Sequence, residues 1–518
     1  MSGQTPALAA ATARGFFWMT FMGLATKVVG FVGQIALARV LRPDDFGLLS
    51  LAFTVSTFAD LVQSYGLREV LVRRREKLRV WSGPAIWLSL VTGLSAGLAM
   101  AAAAPIAAAA YGKGPVVAHL ILLLALTAPI NALGIVPDAA LQQGLRFKAM
   151  AFLLCGQTIG YLSCTLMLAL LGFGAYSFAL SMLMMSVART ACAWWLTRPR
   201  VTWRPRLSRS LRLLRPAVIL VASAAVMNIM AQGDKLALGL FHSEAYVGAY
   251  FFAYNLSLQT AVLLSLNFAR VLFPVMSRMQ DDPARLRSAF IRAARTLMFL
   301  GAPLCFLQAA AAGPFIRGLV QSEKWLGSIP ALQILSLGMA AHMMWNPSRS
   351  LIQVQGRYRF YLRSAIGYAA GYCCVVFAAA KWGDITTVAL AVAGALATAT
   401  SLDCFFALRR IGGTVEDVAR IMLPAMLLAA VAAVPAWSLE FVMPSMPRVL
   451  GFPLREVVLL AAIPVVVGLI YVPLLWWFAP DVWVELSHRM GPRLRRLPGL
   501  AKFAARFRFG SGLAPPAP

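Results

Sequence analysis

Leu37-Ala38-Arg39-Val40-Leu41-Arg42-Pro43-Asp44-Asp45-Phe46-Gly47 closes one long apolar run and opens the next. At a shift of 201 residues, Leu238-Gly239-Leu240-Phe241-His242-Ser243-Glu244-Ala245-Tyr246-Val247-Gly248 repeats that punctuation. Each stretch is an apolar helix end, a short acidic turn, and a glycine near the start of an aromatic-rich helix. A second match follows at a shift of 212, where Gln143-Gly144 and Arg146 lie near Gln355-Gly356 and Arg357. Identity is low, so the weight falls on shared punctuation, and the chain reads as an internal duplication.

The solvent for these runs is lipid. The 518 residues are 60% hydrophobic and 13% charged, with a mean hydropathy of +0.74, which sets the chain apart from soluble domains. Runs able to span a hydrocarbon core lie at about 15–40, 46–67, 82–108, 116–138, 149–171, 174–196, 215–240, 246–270, 290–312, 329–348, 361–380, 385–408, 418–440 and 456–479. The fifth and sixth are divided only by Gly172-Phe173-Gly174. The run from Gly15 to Val40 is too long for a signal h-region and has no small-residue cleavage site, so it reads as the first span.

Charge sets the orientation. Most of the 47 Lys and Arg residues fall in loops that are cytoplasmic if the first span starts inside, including Arg73-Arg74-Arg75 and Arg204, Arg206, Arg209, Arg212 and Arg215. Both termini are then cytoplasmic and the span count is even. The basic stretch from His488 to Phe509 reads as a tail on the anionic leaflet. The net charge of +28 is spread over loops and forms no continuous face, which argues against a nucleic-acid partner. Seven cysteines lie in apolar runs, with none at metal-ligand spacing. No external loop is long enough to carry the acids and bases of a membrane glycosyltransferase or polymerase, so no enzymatic step is expected. Six spans per repeat bring both halves into the membrane from the same side, an arrangement that puts a substrate site between them.

Ionisable residues deep in a span are costly and normally face a cavity or a partner. Here they are Lys27 in the first span, Asp60 in the second, and Asp234 with Lys235 in the seventh. Lys27 and Gln34 share a helix face, as do Asn228, Gln232 and Lys235, and as do Asn255 and Gln259 in the eighth span. These residues form two repeat-related polar stripes, the pattern of an aqueous cleft between halves. Asp234 beside Lys235 also reads as a local ion pair, and Asp60 as a mate for Arg68 or Lys27. Arg39 and Arg270 read equally as interfacial anchors or ligand contacts, His342 as packing, and Asn346, Arg349 and Gln353 as one inner-end face.

With these residues in view, a resemblance emerges. Arg14-Gly15, Trp18, Gly30 and the stretch Leu37 to Gly47 resemble the start of the polysaccharide transporter (Wzx-like oligosaccharide flippase) family. Gly233-Asp234-Lys235, Leu238-Gly239 and Val247-Gly248-Ala249-Tyr250 are similar to the same family in the second half. The resemblance implies the multidrug/oligosaccharidyl-lipid/polysaccharide exporter superfamily and an all-α membrane protein of about fourteen transmembrane helices. Two six-helix lobes (1–200 and 201–412) would surround a central cavity, followed by helices 13 and 14 (413–480) and the basic tail (481–518).

The implied substrate is an undecaprenyl-pyrophosphate-linked oligosaccharide, moved from the cytoplasmic to the periplasmic leaflet of a bacterial inner membrane for exopolysaccharide, capsule or O-antigen assembly. Substrate and membrane lipids are the expected partners, with a polysaccharide polymerase and chain-length proteins beside them. On this reading Lys27 and Lys235 supply charge for the diphosphate. Gln34, Asn228, Gln232, Asn255 and Gln259 hydrogen-bond sugar hydroxyls. Asp60 and Asp234 bind a coupling ion, H+ or Na+, or tune the lysines. No other cofactor is expected. The alternatives within the superfamily are a lipid II flippase, from which this chain differs in having few cavity arginines, and a cation-coupled multidrug exporter.

Overall fold

Inside a bilayer every backbone N–H and C=O must be met within the chain, so a near-continuous apolar sequence folds as helix. The computed structural model describes residues 22–64, 78–198, 225–449 and 452–484, apart from positions 24, 113, 145 and 227. The first half runs through α1 (25–40), α2 (Pro43–Ser64), α3 (Leu78–Tyr111), α4 (Pro115–Ala125), α5 (Thr127–Gln143), α6 (Phe147–Leu170) and α7 (Tyr176–Thr197). The second half begins with α8 (228–241), α9 (Glu244–Ser277) and α10 (Pro283–Ala310). A corner follows, made of α11 (Ala312–Phe315), a π turn (Ile316–Val320) and a 3-10 turn (Glu323–Ser328). Beyond it come α12 (Ile329–His342), α13 (Trp345–Val354), α14 (Tyr358–Trp382), α15 (Ile385–Arg409), α16 (Val415–Val442) and α17 (Leu454–Phe478). Strand among the described residues is confined to β1 (Arg448–Val449) and β2 (Phe452–Pro453), a two-residue antiparallel ladder between α16 and α17.

Eleven helical stretches among the described residues are long and apolar enough to cross a membrane. The protein is therefore an all-helical, multi-pass membrane protein. Gly172 (φ +87°) and Gly174 (φ +52°) hold left-handed backbone that lets α6 and α7 reverse within a few residues. Polar starts are built from short side chains. Asp384 accepts from the Thr387 N–H, Asp282 accepts from the Arg285 N–H, and Thr414 with Asp417 forms a capping box.

Two runs expected to be single helices are each broken near the middle. The expected fourth span (116–138) is divided at Leu126 and continues to Gln143, and the tenth (329–348) is divided at Met343–Met344 and continues to Val354. A proline lies about one turn beyond each break: Pro129 and Pro347 have no N–H to give to the carbonyls of Ala125 and Met343, four residues earlier, and the Ser265 hydroxyl donates to the Met343 carbonyl instead, at 2.6 Å. Pro303 leaves the Phe299 carbonyl equally orphaned, but there α10 stays continuous and the Tyr471 hydroxyl donates to that oxygen at 2.7 Å. This hydrogen bond ties α17 to the second half. α16 packs along α10, and α17 lies on α16.

The duplication read from the sequence recurs as geometry. Arg146, before α6, donates to the Leu196 carbonyl at 2.8 Å, and Arg357, before α14, donates to the Phe406 carbonyl at 3.0 Å. Backbone angles at the two arginines match, at φ −79°, ψ 56° and φ −85°, ψ 51°. Each half also carries an ion pair between corresponding helices, with the charges exchanged. Asp138 on α5 meets Arg189 on α7 at 2.7 Å, while Arg349 on α13 meets Asp403 on α15 at 2.6 Å. The halves join chiefly through α2 against α9, the most extensive helix pairing among the described residues.

Candidate functional site

The polar residues singled out in the sequence lie on α1, α2, α8 and α9, the opening helices of the two halves. Two of them meet across the molecule: Gln259 Nε2 on α9 donates to Gln34 Oε1 on α1 at 3.0 Å. One residue further along α9, the Thr260 hydroxyl donates to Gln308 Oε1 at 2.8 Å, and Gln308 Nε2 returns to the Leu256 carbonyl. Beside this network is a cavity of about 320 Å³ with Phe31, Thr260, Gln308, Phe315 and Leu460 in its wall. Thr260 and Gln308 were not singled out in the sequence, although an amide on an otherwise apolar face of α10 was a visible signal.

Lys27, two turns before Gln34 on α1, is exposed. Asn255 turns back on its own helix, donating to the Phe251 carbonyl at 2.8 Å. Gln232 is half-buried, and the side-chain nitrogen of Asn228 is buried with no hydrogen-bond acceptor among the described residues. Asp60 falls in α2, but its side chain lies outside the described residues, as does that of Arg270.

Asp234 and Lys235 form a different kind of site. They are 0% and 3% exposed, and the Lys235 ammonium donates to Asp234 Oδ1 at 3.1 Å and to the Ala231 carbonyl at 2.8 Å. The Tyr250 hydroxyl donates to Asp234 Oδ2 at 2.7 Å, Tyr372 is a further neighbour of that carboxylate, and the ammonium lies 3.9 Å above the Tyr254 ring. Neither charge faces open space. The arrangement matches the local ion pair that the sequence left as one of two readings.

Other residues named above resolve as packing or anchors. His342 Nδ1 lies 3.3 Å from the Thr400 hydroxyl and stacks on Trp345. Arg349 is enclosed by Trp345, Tyr361 and Asp403, while Asn346 donates to the Ser265 hydroxyl. Arg39 donates to the Leu319 carbonyl at 2.8 Å.

At the end of the molecule bearing the α1–α2 and α8–α9 turns, the halves touch backbone to backbone. A Cβ built on Gly47 would stand 2.0 Å from the Glu244 carbonyl oxygen, and one built on Gly248 would stand 1.8 Å from that of Pro43. Trp325 from the 3-10 turn is fully buried there, donating to the Ala38 carbonyl at 2.8 Å. Its ring lies 5.0 Å from Phe46 and 4.5 Å from Phe252, one from each half.

Known proteins share sequence and fold with this chain. A family profile described as "Polysaccharide biosynthesis protein" matches residues 36–330. The lipopolysaccharide biosynthesis protein WzxC of Escherichia coli is 25% identical over 67% of this chain and 70% of its own length. The succinoglycan biosynthesis transport protein ExoT of Rhizobium meliloti is 28% identical over 64% of this chain and 67% of its own. Among solved structures, the lipid II flippase MurJ in an inward closed conformation shares the fold, with a TM-score of 0.71 at 12% identity over 90% of this chain and 99% of that one. The chain thus belongs to the polysaccharide biosynthesis protein family.

Proposed function

We propose that this chain moves an undecaprenyl-pyrophosphate-linked oligosaccharide from the cytoplasmic to the periplasmic leaflet of a bacterial inner membrane by alternating access. The eleven span-length helical stretches would be completed to fourteen by α1, α2 and α8, forming two six-helix lobes with both termini cytoplasmic. The observation that carries the reading is the Gln34–Gln259 hydrogen bond. It joins polar side chains from the opening helices of both halves in a molecule otherwise sorted for lipid, where an unneeded polar group is selected against.

A diphosphate cannot shed its water into hydrocarbon, so a cation must replace that hydration. Lys27, exposed two turns along the same helix, is assigned this role. Gln34 and Gln259 release one another to bind sugar hydroxyls, with Asn228, Gln232 and Asn255 extending the polar stripe. Asp234 and Lys235 contribute charge and ion coupling in the conformation where their pair opens, Asp60 shares the ion-coupling or charge-tuning role, and H+ or Na+ is the coupling ion. The lipid tail stays in the bilayer while the lobes rock.

The test is a deletion strain. It is expected to accumulate lipid-linked repeat units in the cytoplasmic leaflet, with the wild-type gene restoring export and Lys27→Ala failing to do so. Export at the parental level by Lys27→Ala, with normal amounts of protein in the membrane, removes the lysine from the mechanism. A deletion without accumulation removes the substrate.

A further inference from the structure

We infer that Gly47, Gly248 and Trp325 form the outer seal of the translocation pathway, the contact that must break before a substrate leaves on the far side. The inference rests on the transport reading above and adds to it the residues that close one end. Three independent observations converge on them.

First, the two glycines are the same residue of the duplication, at a shift of 201, and each abuts the opening turn of the other half's helix. No side chain fits between: a Cβ at either position would overlap a carbonyl oxygen, so the helices close to backbone contact only because both residues lack one. Second, Trp325 inserts between Phe46 of the first half and Phe252 of the second, edge-on to Phe46 at 90°. A ring of that size, fully buried between two separable bodies, leaves no water path beside it. Third, its indole N–H meets the Ala38 carbonyl in the last turn of α1, where helix geometry provides no N–H of its own. Opening would strip this oxygen of its donor, so the seal is held by a hydrogen bond as well as by apolar contact.

The contact is self-complementary across the duplication, so it can open and reclose by rotation of one half against the other. The corner carrying Trp325 belongs to the second half and would withdraw with it. By the charge bias of the loops, this end faces away from the cytoplasm.

A cysteine placed just inside the seal tests the inference. Ser50, one turn along α2 from Gly47, is fully buried. In the full-length chain with its seven natural cysteines replaced, Ser50→Cys is labelled with a membrane-impermeant maleimide added outside intact spheroplasts. Labelling should be slow in the parent and faster by about tenfold or more once Gly248→Leu wedges the halves apart and shifts the population to open. Trp325→Ala, which removes bulk without adding any, should raise it as well and covers the case in which the leucine variant does not fold. Unchanged labelling in Trp325→Ala at normal membrane abundance overturns the seal, and so does labelling that rises only in inverted vesicles. The readout needs no substrate. Faster labelling from a chain whose deletion leaves polysaccharide export intact would keep the seal and remove the transport reading.

Discussion

At the scale of single residues, the membrane interior makes an unmet polar group costly, and two sites show how that cost is answered. Tyr471 supplies the donor that Pro303 took from the Phe299 carbonyl. Tyr471→Phe should therefore lower stability by about 1–3 kcal/mol, the usual cost of an unsatisfied buried acceptor, read as reduced thermal stability of purified protein in detergent. Asp234 is engaged on both oxygens by Lys235 and Tyr250. Asp234→Ala leaves a buried ammonium uncompensated and should cost about 3–5 kcal/mol, whereas replacing both members with Leu and Met should recover much of the loss. Equal stability of the single and double variants would show that the pair does not act as a unit. The sequence marked Asp234 and Lys235 as deep charges, because period and hydropathy are local properties. It could not choose between ion pair and open groove, because Tyr250 and Tyr372 reach the pair from other helices.

Among elements, helix starts offer a pH-dependent handle outside the bilayer. Asp384 precedes α15, and hydrogen bonds from the Thr386 hydroxyl, then the Thr387 N–H and hydroxyl, hold its carboxyl well below the usual carboxylate range. A lowered folded value means the ionised form favours folding. The contribution is fully present above the ordinary carboxylate pKa of about 3.9 and is lost as pH falls further. Unfolding of wild type and Asp384→Asn, compared at neutral pH and near pH 3, should show the wild-type advantage shrinking in acid; a constant gap would contradict it. Eleven of the fourteen expected spans coincide with span-length helical stretches among the described residues, with ends shifted by several residues, since twenty apolar residues in lipid have few alternatives to helix. The breaks at Leu126 and at Met343–Met344 were less legible. Prolines were visible at 129 and 347, yet Pro303, equally inside a span, leaves α10 unbroken. The Met343 carbonyl, like that of Phe299, is met from a neighbouring helix, by the Ser265 hydroxyl at 2.6 Å, so the N–H missing at a proline does not by itself decide where a helix breaks.

For the molecule as a whole, the duplication could be read before any coordinates because its turns are punctuated alike, and Arg146 and Arg357 bear it out in matching roles. The meeting of Gln34 with Gln259 could not be read, because the shift that aligns the halves places Gln34 over Lys235. If this amide pair lies on the pathway, Gln34→Leu with Gln259→Leu should keep the fold, since both sides lose their polar group together, while polysaccharide export falls. Export at the parental level would place the pair in the packing instead. Trp325, far in sequence from both helices it seals, left no mark that sequence reading could have used.

The exchanged charges of the two intrahalf ion pairs bear on assembly. α5 and α13 hold corresponding places in the duplication, as do α7 and α15, so docking a helix of one half into the slot of the other is a mistake open to a nascent chain. Such a mistake would set Asp138 against Asp403, or Arg189 against Arg349, like facing like in a low-dielectric interior. Correct pairing alone brings opposite signs together, so the four residues that brace each bundle would also disfavour a helix in the wrong one.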